Sequence, residues 1–107
     1  MPQDLLLDPG QPPPERPSVL VHLAGELDLA AAPALRTRLA DLLAAGDRDV
    51  VVDLGGVTFF DTSALEPLVE GHRLSCSRGV RLVLCHVPAH VRRVLDITGL
   101  DRVLHQR

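Results

Sequence analysis

The chain lacks lysine, tryptophan and tyrosine, and its two phenylalanines are the neighbours Phe59 and Phe60. Without lysine it can form neither a lysine Schiff base nor the lysine–phosphate contact of a P-loop. One pair of adjacent phenylalanines cannot supply the series of stacking rings on which single-stranded nucleic acid binds. The formal net charge of -3 gives no attraction for a phosphate backbone. We therefore expect no nucleic-acid partner.

Cysteine and long apolar runs are scarce too. Cys76 and Cys85 are the only cysteines, which is too few for a fold held together by disulfides. The first residues lack the charged and then apolar profile of a signal peptide, and no apolar run approaches the length that spans a bilayer. These features predict a cytoplasmic protein that makes no membrane contact.

The length and composition are those of one ordinary domain. The chain has 107 residues, of which 46% are hydrophobic and 23% charged. Residues 8–17 are rich in proline, a composition typical of a connecting loop, and the short apolar stretch at 4–7 before them is compatible with an edge strand. We therefore divide the chain into residues 1–17, a short edge strand and proline-rich loop, and residues 18–107, a single domain.

Hydrophobic periodicity changes back and forth between the strand and the helix pattern along this domain. Runs rich in Val and Leu predict strands at residues 18–24 and 50–54, ended by Gly25 and by Gly55-Gly56. Apolar residues spaced three and four apart predict helices between the strands. The full prediction is strands at 4–7, 18–24, 50–54, 80–87 and 100–105 and helices at 31–45, 63–77 and 89–98.

The element order β-β-α-β-α-β-α-β predicts an α/β fold with a mixed, mostly parallel sheet packed with helices. In the second helix, the periodicity places Leu65, Leu68, Val69, His72 and Cys76 on the buried side. Both cysteines are interpreted as small buried apolar side chains.

Three motifs fall in register with these elements. Residues 25–28 read Gly-Glu-Leu-Asp, residues 60–65 read Phe-Asp-Thr-Ser-Ala-Leu, and residues 83–88 lead into a third motif at 95–100. In this order and spacing, the sequence resembles the STAS domains of bacterial anti-sigma-factor antagonists over roughly residues 18–105. The hallmarks of that family are a Gly-Glu-Leu-Asp turn and an Asp-Ser-Ser-Gly-Leu switch.

The resemblance implies a single STAS-like domain that works as a partner switch, not as an enzyme, and that needs no cofactor. Family members bind an anti-sigma factor that is also a serine kinase and thereby free a sigma factor. The kinase phosphorylates the second hydroxyl residue of the switch, here Ser63 with Thr62 as second choice, and a phosphatase reverses the modification. We expect a monomer or weak dimer whose partner-binding residues are Glu26, Asp28, Asp61, Thr62, Ser63, Ala64 and Leu65. The turns of Asp28 and Asp61 should both lie at one end of the sheet, although these two residues could instead serve only in helix capping and turn formation.

Ser63 has physical features that suit a switch. A hydroxyl at a helix N-terminus should be exposed to a kinase, and the helix dipole tolerates an added anion. A phosphate adds about -1.5 to -2 charges at neutral pH. A partner surface fitted to a neutral hydroxyl would then face an unmatched anion, and the affinity should fall by orders of magnitude.

The sequence departs from the family pattern at the switch itself. Ala64 stands where the family has glycine, and Glu66 and Pro67 follow. Ser63 and Glu66 also have the spacing of a capping box, in which Ser63 would only cap the helix. Pro67 predicts that this helix starts late or is distorted in its first turn. The alternative function is therefore a non-phosphorylated STAS scaffold subunit of a larger assembly.

Single aspartates are compatible with two enzyme classes. Asp53 ends a strand, as the phosphoacceptor of a receiver domain does, but such domains also need a lysine, which this chain lacks. A small hydrolase or a nucleotide-binding activity could use Asp53, Asp61 and a histidine, although no spacing typical of nucleophilic catalysis supports it. Neither class is expected.

The candidate ligands for a zinc site are Cys76, Cys85, His86 and His90. These residues lack the paired spacing of metal ligands, and strand alternation predicts Cys85 and His86 on opposite faces of the sheet. We therefore expect no metal site.

Overall fold

The computed structural model describes residues 17–107. Its elements, in chain order, alternate strand and helix as predicted for the domain that begins at residue 18. The predicted edge strand at 4–7 and the proline-rich loop up to residue 16 lie outside the described residues. The elements are β1 (Ser18–Leu27), α1 (Ala32–Ala44), β2 (Asp49–Phe60), a 3-10 helix (Thr62–Ala64), α2 (Leu65–Arg78), β3 (Leu82–Cys85), α3 (Ala89–Thr98), a second 3-10 helix (Leu100–Arg102) and β4 (His105–Gln106).

The strands form one four-stranded sheet in the order β1-β2-β3-β4. Each pairing in it is parallel, because a helix or a helical turn carries the chain back between successive strands. The prediction of a single α/β domain with a mostly parallel sheet is confirmed.

One face of the sheet packs against the helices. Val50, Val52 and Leu54 alternate along β2 and are fully buried. They belong to a single core cluster with side chains from all three helices, among them Leu39 of α1, Leu68 of α2, and Val91 and Leu95 of α3. The intervening side chains point to the other face, where Val51, Val83 and Cys85 form a smaller separate cluster.

The glycines predicted to end the first two strands lie inside them. β1 continues through Gly25, which has a φ of 78°. The register between β1 and β2 shifts next to this residue, so Gly25 forms part of a β-bulge and does not end the strand. In β2, a Cβ on Gly56 would lie 3.1 Å from the Cβ of Ala24, so this glycine permits close approach of the two strands. The prediction that Gly25 and Gly55-Gly56 terminate strands is wrong for this reason.

The last two predicted strands are shorter than expected. β3 covers only Leu82–Cys85 of the predicted 80–87, and residues 100–102 form a 3-10 helix, so that β4 begins at His105. By contrast, α3 has the predicted bounds, Ala89–Thr98, because Pro88 precedes it and Gly99 ends it in the left-handed conformation.

The buried side of α2 includes two small residues, Gly71 and Ser75. Leu68, Gly71 and Ser75 are buried, whereas His72 is half-buried and Cys76 is exposed, so the prediction that Cys76 is a buried residue is wrong. A Cβ on Gly71 would lie 3.0 Å from Leu82 Cδ2 and 3.4 Å from Leu39 Cδ1. The absence of a side chain at Gly71 lets α2 approach both the sheet and α1.

The Leu39 side chain is central to this packing. We expect Leu39→Ala to lower the free energy of unfolding by about 2–5 kcal/mol, because it removes buried apolar surface and leaves a cavity. Leu29, whose exposed fraction is 73%, provides the matched control. Leu29→Ala should stay within about 0.5 kcal/mol of wild type in urea unfolding. Equal losses in the two variants would contradict the assignment of Leu39 to the core.

Candidate functional site

Two turns meet at the end of β1 and β2. Leu27 pairs with Phe60, and the Asp61 N–H donates to the Leu27 carbonyl at 2.9 Å. Because β1 and β2 are parallel neighbours, the turn that leads into α1 lies beside the turn that leads into α2. The structure therefore brings Asp28 and Asp61 to one end of the sheet, as expected from the sequence.

Asp28 holds the first of these turns. Its Oδ1 accepts a hydrogen bond from the Ala31 N–H at 3.0 Å, and its carbonyl accepts from the Ala31 and Ala32 N–H groups, both at 3.1 Å. These bonds satisfy N–H groups at the start of α1 that have no partner within the helix. Asp28 thus has a structural role whether or not it also touches a partner.

Asp61, and not Ser63, caps the second turn. Its Oδ1 accepts from the Thr62 hydroxyl at 3.2 Å and from the Ser63 N–H at 3.4 Å, at the start of the 3-10 helix. The predicted capping box between Ser63 and Glu66 does not form. The reason is that the helical chain begins with a 3-10 turn, and Glu66 lies instead 3.7 Å from Arg36 of α1.

The 3-10 turn also accommodates Pro67. Since α2 begins only at Leu65, Pro67 falls within its first turn, where backbone N–H groups have no partner inside the helix. The missing N–H of proline therefore costs little at this position. The expectation that Pro67 delays the start of the helix is confirmed.

The Ser63 hydroxyl is buried and unpaired. Its Oγ has essentially no contact with solvent and no hydrogen-bond partner among residues 17–107. The expectation of an exposed hydroxyl at Ser63 is therefore wrong for this rotamer, and Thr62 is the exposed residue of the pair. An unpaired buried hydroxyl costs about 1–3 kcal/mol, so rotation about χ1 that returns the Oγ to solvent has a driving force.

The remaining predicted contact residues divide between surface and core. Glu26 is exposed, whereas Ala64 and Leu65 are only 1% and 7% exposed to solvent and belong to the core cluster. Ala64 and Leu65 consequently have little surface to offer a partner. We therefore assign Ala64 and Leu65 a supporting role beneath the turn, and not the direct contact with a partner that the sequence predicted.

Two exposed apolar side chains next to this site were missed by sequence reasoning. Leu29 follows directly after Asp28, and Phe59, with an exposed fraction of 51%, is opposite Glu26 in the register of β2 with β1. A signal for Phe59 was available, because Phe59 and Phe60 are consecutive in a strand and must point to opposite faces. Each of the two therefore has an acidic neighbour, Asp28 for Leu29 in the sequence and Glu26 for Phe59 in the register. Exposed apolar side chains bordered by polar ones are common at protein interfaces.

A second cluster of polar residues surrounds Asp53. Its Oδ1 accepts from the Gly55 N–H at 2.8 Å, and its Oδ2 lies 3.1 Å from His86 Nδ1 and 3.2 Å from His22 Nδ1. The Gly55 N–H, followed by the His86 hydrogen bond, holds the pKa of Asp53 below its usual value. Burial, followed by the Asp53 charge, raises the pKa of the nearby Cys85 thiol. Among these residues the Cys85 thiol therefore stays protonated more readily than an ordinary cysteine.

The prediction that Cys85 and His86 lie on opposite faces of the sheet is wrong. His86 follows the last residue of β3 and has a φ of 52°, in the left-handed region. This conformation ends the strand alternation and turns the imidazole back toward its neighbour, so that Cys85 Sγ and His86 Nδ1 are 3.9 Å apart.

Comparison with known proteins identifies the family. A family model described as "Mlab, STAS domain" matches residues 14–105. This chain belongs to the STAS domain family. The anti-sigma-B factor antagonist of Bacillus subtilis is 31% identical over 86 residues, which cover 80% of this chain and 78% of the relative.

Solved structures of STAS proteins have the same architecture. An anti-sigma factor antagonist from Mycobacterium paratuberculosis superposes with a TM-score of 0.70 and 28% identity, over 83% of this chain and 75% of its own. The Bacillus cell fate determinant SpoIIAA, in its phosphorylated form, gives a TM-score of 0.67 with 21% identity, over 87% and 85% of the two chains. The latter similarity is one of fold. Among the helices of residues 17–107, none combines the length and apolar character needed to cross a bilayer.

The contrasting roles of Ser63 and Asp61 in this STAS domain can be tested by stability. We expect Ser63→Ala not to lower the free energy of unfolding and to raise it by up to about 1–3 kcal/mol, because it removes a buried hydroxyl that makes no hydrogen bond. Asp61→Ala should lower it by about 0.5–2 kcal/mol through loss of the cap. Urea unfolding measures both.

Asp61→Asn is the control for this comparison, because an asparagine side chain also accepts the capping hydrogen bonds. It should retain most of the wild-type stability. A loss in Ser63→Ala as large as that in Asp61→Ala would instead support Ser63 as the helix cap.

Proposed function

We propose that this STAS domain is an anti-sigma-factor antagonist, which binds an anti-sigma factor and so frees a sigma factor for transcription. The observation that carries the proposal is the 31% identity to the anti-sigma-B factor antagonist of Bacillus subtilis over 80% of this chain. The proposed protein works in the cytoplasm, as a monomer or weak dimer, and binds protein without using a cofactor of its own.

The proposed contact surface is the end of the sheet where the turns of Asp28 and Asp61 meet. Exposed apolar side chains, Leu29 and Phe59, supply area that gains free energy when a partner covers it. The neighbouring carboxylates fix orientation and favour a partner with complementary positive charge. Backbone hydrogen bonds hold both turns in place, so that little order needs to be gained on binding.

The proposed switch is phosphorylation of Ser63 by an anti-sigma factor that is also a serine kinase, reversed by a phosphatase. The kinase transfers the γ-phosphoryl group of ATP to the Ser63 Oγ, which loses its proton. The hydroxyl must first rotate out of its buried position, because its Oγ is shielded from solvent there and a buried phosphate charge would be costly. Since Ser63 as a whole is only half-buried, one χ1 rotation is the smallest motion that exposes it.

The charges around Ser63 allow this modification but make its effect large. The phosphate lies at the start of a helical segment, where N–H groups and the helix dipole favour an anion. Glu66 carries a negative charge three residues after Ser63, which disfavours a second anion there. Arg36 partly offsets this charge and also donates to Glu70 at 2.8 Å. Asp61 stays close to the new anion, so that the modified surface repels a partner fitted to the neutral form.

A second candidate is a non-phosphorylated scaffold subunit of a larger assembly. The observation in its favour is the buried Ser63 Oγ, which a kinase cannot reach without the rotation described above. The two candidates differ in one consequence. A scaffold should bind its partners equally well with or without negative charge at residue 63.

The binding consequence gives a direct test of the switch. We expect Ser63→Asp to weaken binding to the anti-sigma factor by about 30-fold or more, because an unmatched buried charge costs at least about 2 kcal/mol and each 1.4 kcal/mol is a factor of ten. Titration calorimetry with the purified anti-sigma factor of the native host measures the dissociation constant.

Ser63→Ala is the matched variant for the same titration. It removes the acceptor without adding charge, and it should bind like wild type while resisting phosphorylation by the kinase and ATP. Thr62→Ala should remain a substrate. Wild-type affinity in Ser63→Asp would contradict the switch and favour the scaffold. Failure of wild type itself to bind would contradict the antagonist function as a whole.

A further inference from the structure

The face of the sheet opposite the helices carries a row of chemically reactive side chains. His22 of β1 pairs with Asp53 of β2, and Asp53 pairs with Cys85 of β3. Paired residues of adjacent parallel strands project from the same face about 5 Å apart. The register therefore puts an imidazole, a carboxylate and a thiol side by side, although they are far apart in the sequence.

His86 adds a second imidazole to this row. Its left-handed conformation brings Nδ1 to 3.1 Å from Asp53 Oδ2 and 3.9 Å from Cys85 Sγ. The donor atoms of Asp53, Cys85 and His86 all lie within 4.8 Å of one another. A non-glycine residue in the left-handed region is uncommon, and here it is what places the third donor.

These separations fit a four-coordinate metal site. With zinc bonds of about 2.0–2.2 Å to nitrogen or oxygen and about 2.3 Å to sulfur, tetrahedral ligands lie about 3.4 Å apart, or about 3.6 Å when one is sulfur. The observed distances of 3.1 Å and 3.9 Å differ from those values by a few tenths of an ångström. Small rotations of exposed side chains are enough to remove such differences.

We propose that Asp53, Cys85 and His86 bind a zinc ion. A solvent molecule supplies the fourth ligand, because the His22 Nδ1, although 3.2 Å from Asp53 Oδ2, is outside this group of donor atoms. On binding, the Cys85 thiol loses its proton to the solvent and its sulfur forms a bond to the metal. The thiolate and the Asp53 carboxylate together balance the two positive charges of the ion, while the His86 imidazole binds as a neutral ligand.

The donor set selects this class of metal. Thiolate and imidazole ligands favour zinc and related transition metals, whereas calcium and magnesium require oxygen ligands. The Gly55 N–H already holds Asp53 Oδ1, which fixes the carboxylate and leaves Oδ2 directed at the imidazoles. Such a hydrogen bond to a ligating carboxylate is typical of the support around metal sites.

The site is open to solvent on one side. The side chains of His22 and His86 are 71% and 74% exposed, whereas that of Asp53 is 15% exposed and Cys85 is buried. The carboxylate and thiol thus form the base of the site, with the His86 imidazole at its rim. An ion can enter without any opening of the fold.

Cobalt(II) is the probe, because a cobalt–thiolate bond gives an intense near-ultraviolet charge-transfer band that oxygen and nitrogen ligands do not. The reduced, metal-free full chain is titrated with cobalt(II), which is then displaced by zinc(II). We expect one cobalt ion per chain, with the thiolate band and the visible spectrum of tetrahedral coordination. Absence of the thiolate band in wild type would overturn the proposal.

Matched cysteine variants identify the sulfur ligand. Cys85→Ser should abolish the band, whereas Cys76→Ser should keep it. Cys76 is the necessary control, because its Sγ lies 3.7 Å from His72 Nε2 one helical turn away. A band that survives Cys85→Ser but disappears in Cys76→Ser would assign the metal to that pair and overturn the proposal.

Histidine variants keep the test independent of the buried cysteine. Asparagine tolerates the left-handed conformation, so His86→Asn should fold normally while losing the imidazole. We expect it to weaken zinc binding by at least about tenfold, since even the loss of a supporting group around a metal site costs about 10–100-fold. His90→Asn, an exposed position on α3, should bind zinc like wild type. Equal zinc affinity in His86→Asn and wild type would overturn the assignment of His86.

Discussion

The parallel pairing of β1 with β2 is the constraint on which the rest of the molecule depends. Because both strands run on past their glycines, Leu27 reaches Phe60, and the Asp61 N–H binds the Leu27 carbonyl at 2.9 Å. This single contact places the turn before α1 beside the turn before α2. The same pairing sets His22 against Asp53 on the opposite face. The pairing of β2 with β3 then sets Asp53 against Cys85, so the proposed partner surface and the proposed metal site both depend on the parallel pairings of β2.

The sequence predicts most of the fold where local chemistry decides it. The bounds of α3 follow from Pro88 and Gly99, each of which acts on the adjacent residues alone. The ends of β1 and β2 could not be predicted in this way, since Gly25 can either stop a strand or allow a bulge within it. Only the neighbouring strand decides between the two outcomes. The prediction that Cys76 lies on the buried side of α2 failed for a similar reason. Gly71 and Ser75 are buried in its place, because they are small enough to let neighbouring elements approach.

The candidate site was predictable in composition but not in geometry. The motif at residues 60–65 indicated where the site is, and the element order indicated that the turns of Asp28 and Asp61 meet. Asp61 caps the helical segment and Ser63 does not, because a 3-10 turn precedes α2. No residue pattern specified this turn. The position of His86 depends on its own left-handed backbone at the end of β3, so the alternation rule failed one residue beyond the strand.

The proposed switch converts the buried Ser63 hydroxyl into a charged surface group when a kinase modifies it. Its most direct test is intact mass and phosphopeptide mapping of the chain recovered from its native host under several growth conditions. We expect a fraction of the protein to carry a single phosphate on Ser63 in at least one condition. Phosphate confined to Thr62, or an unmodified chain in every condition, would contradict it.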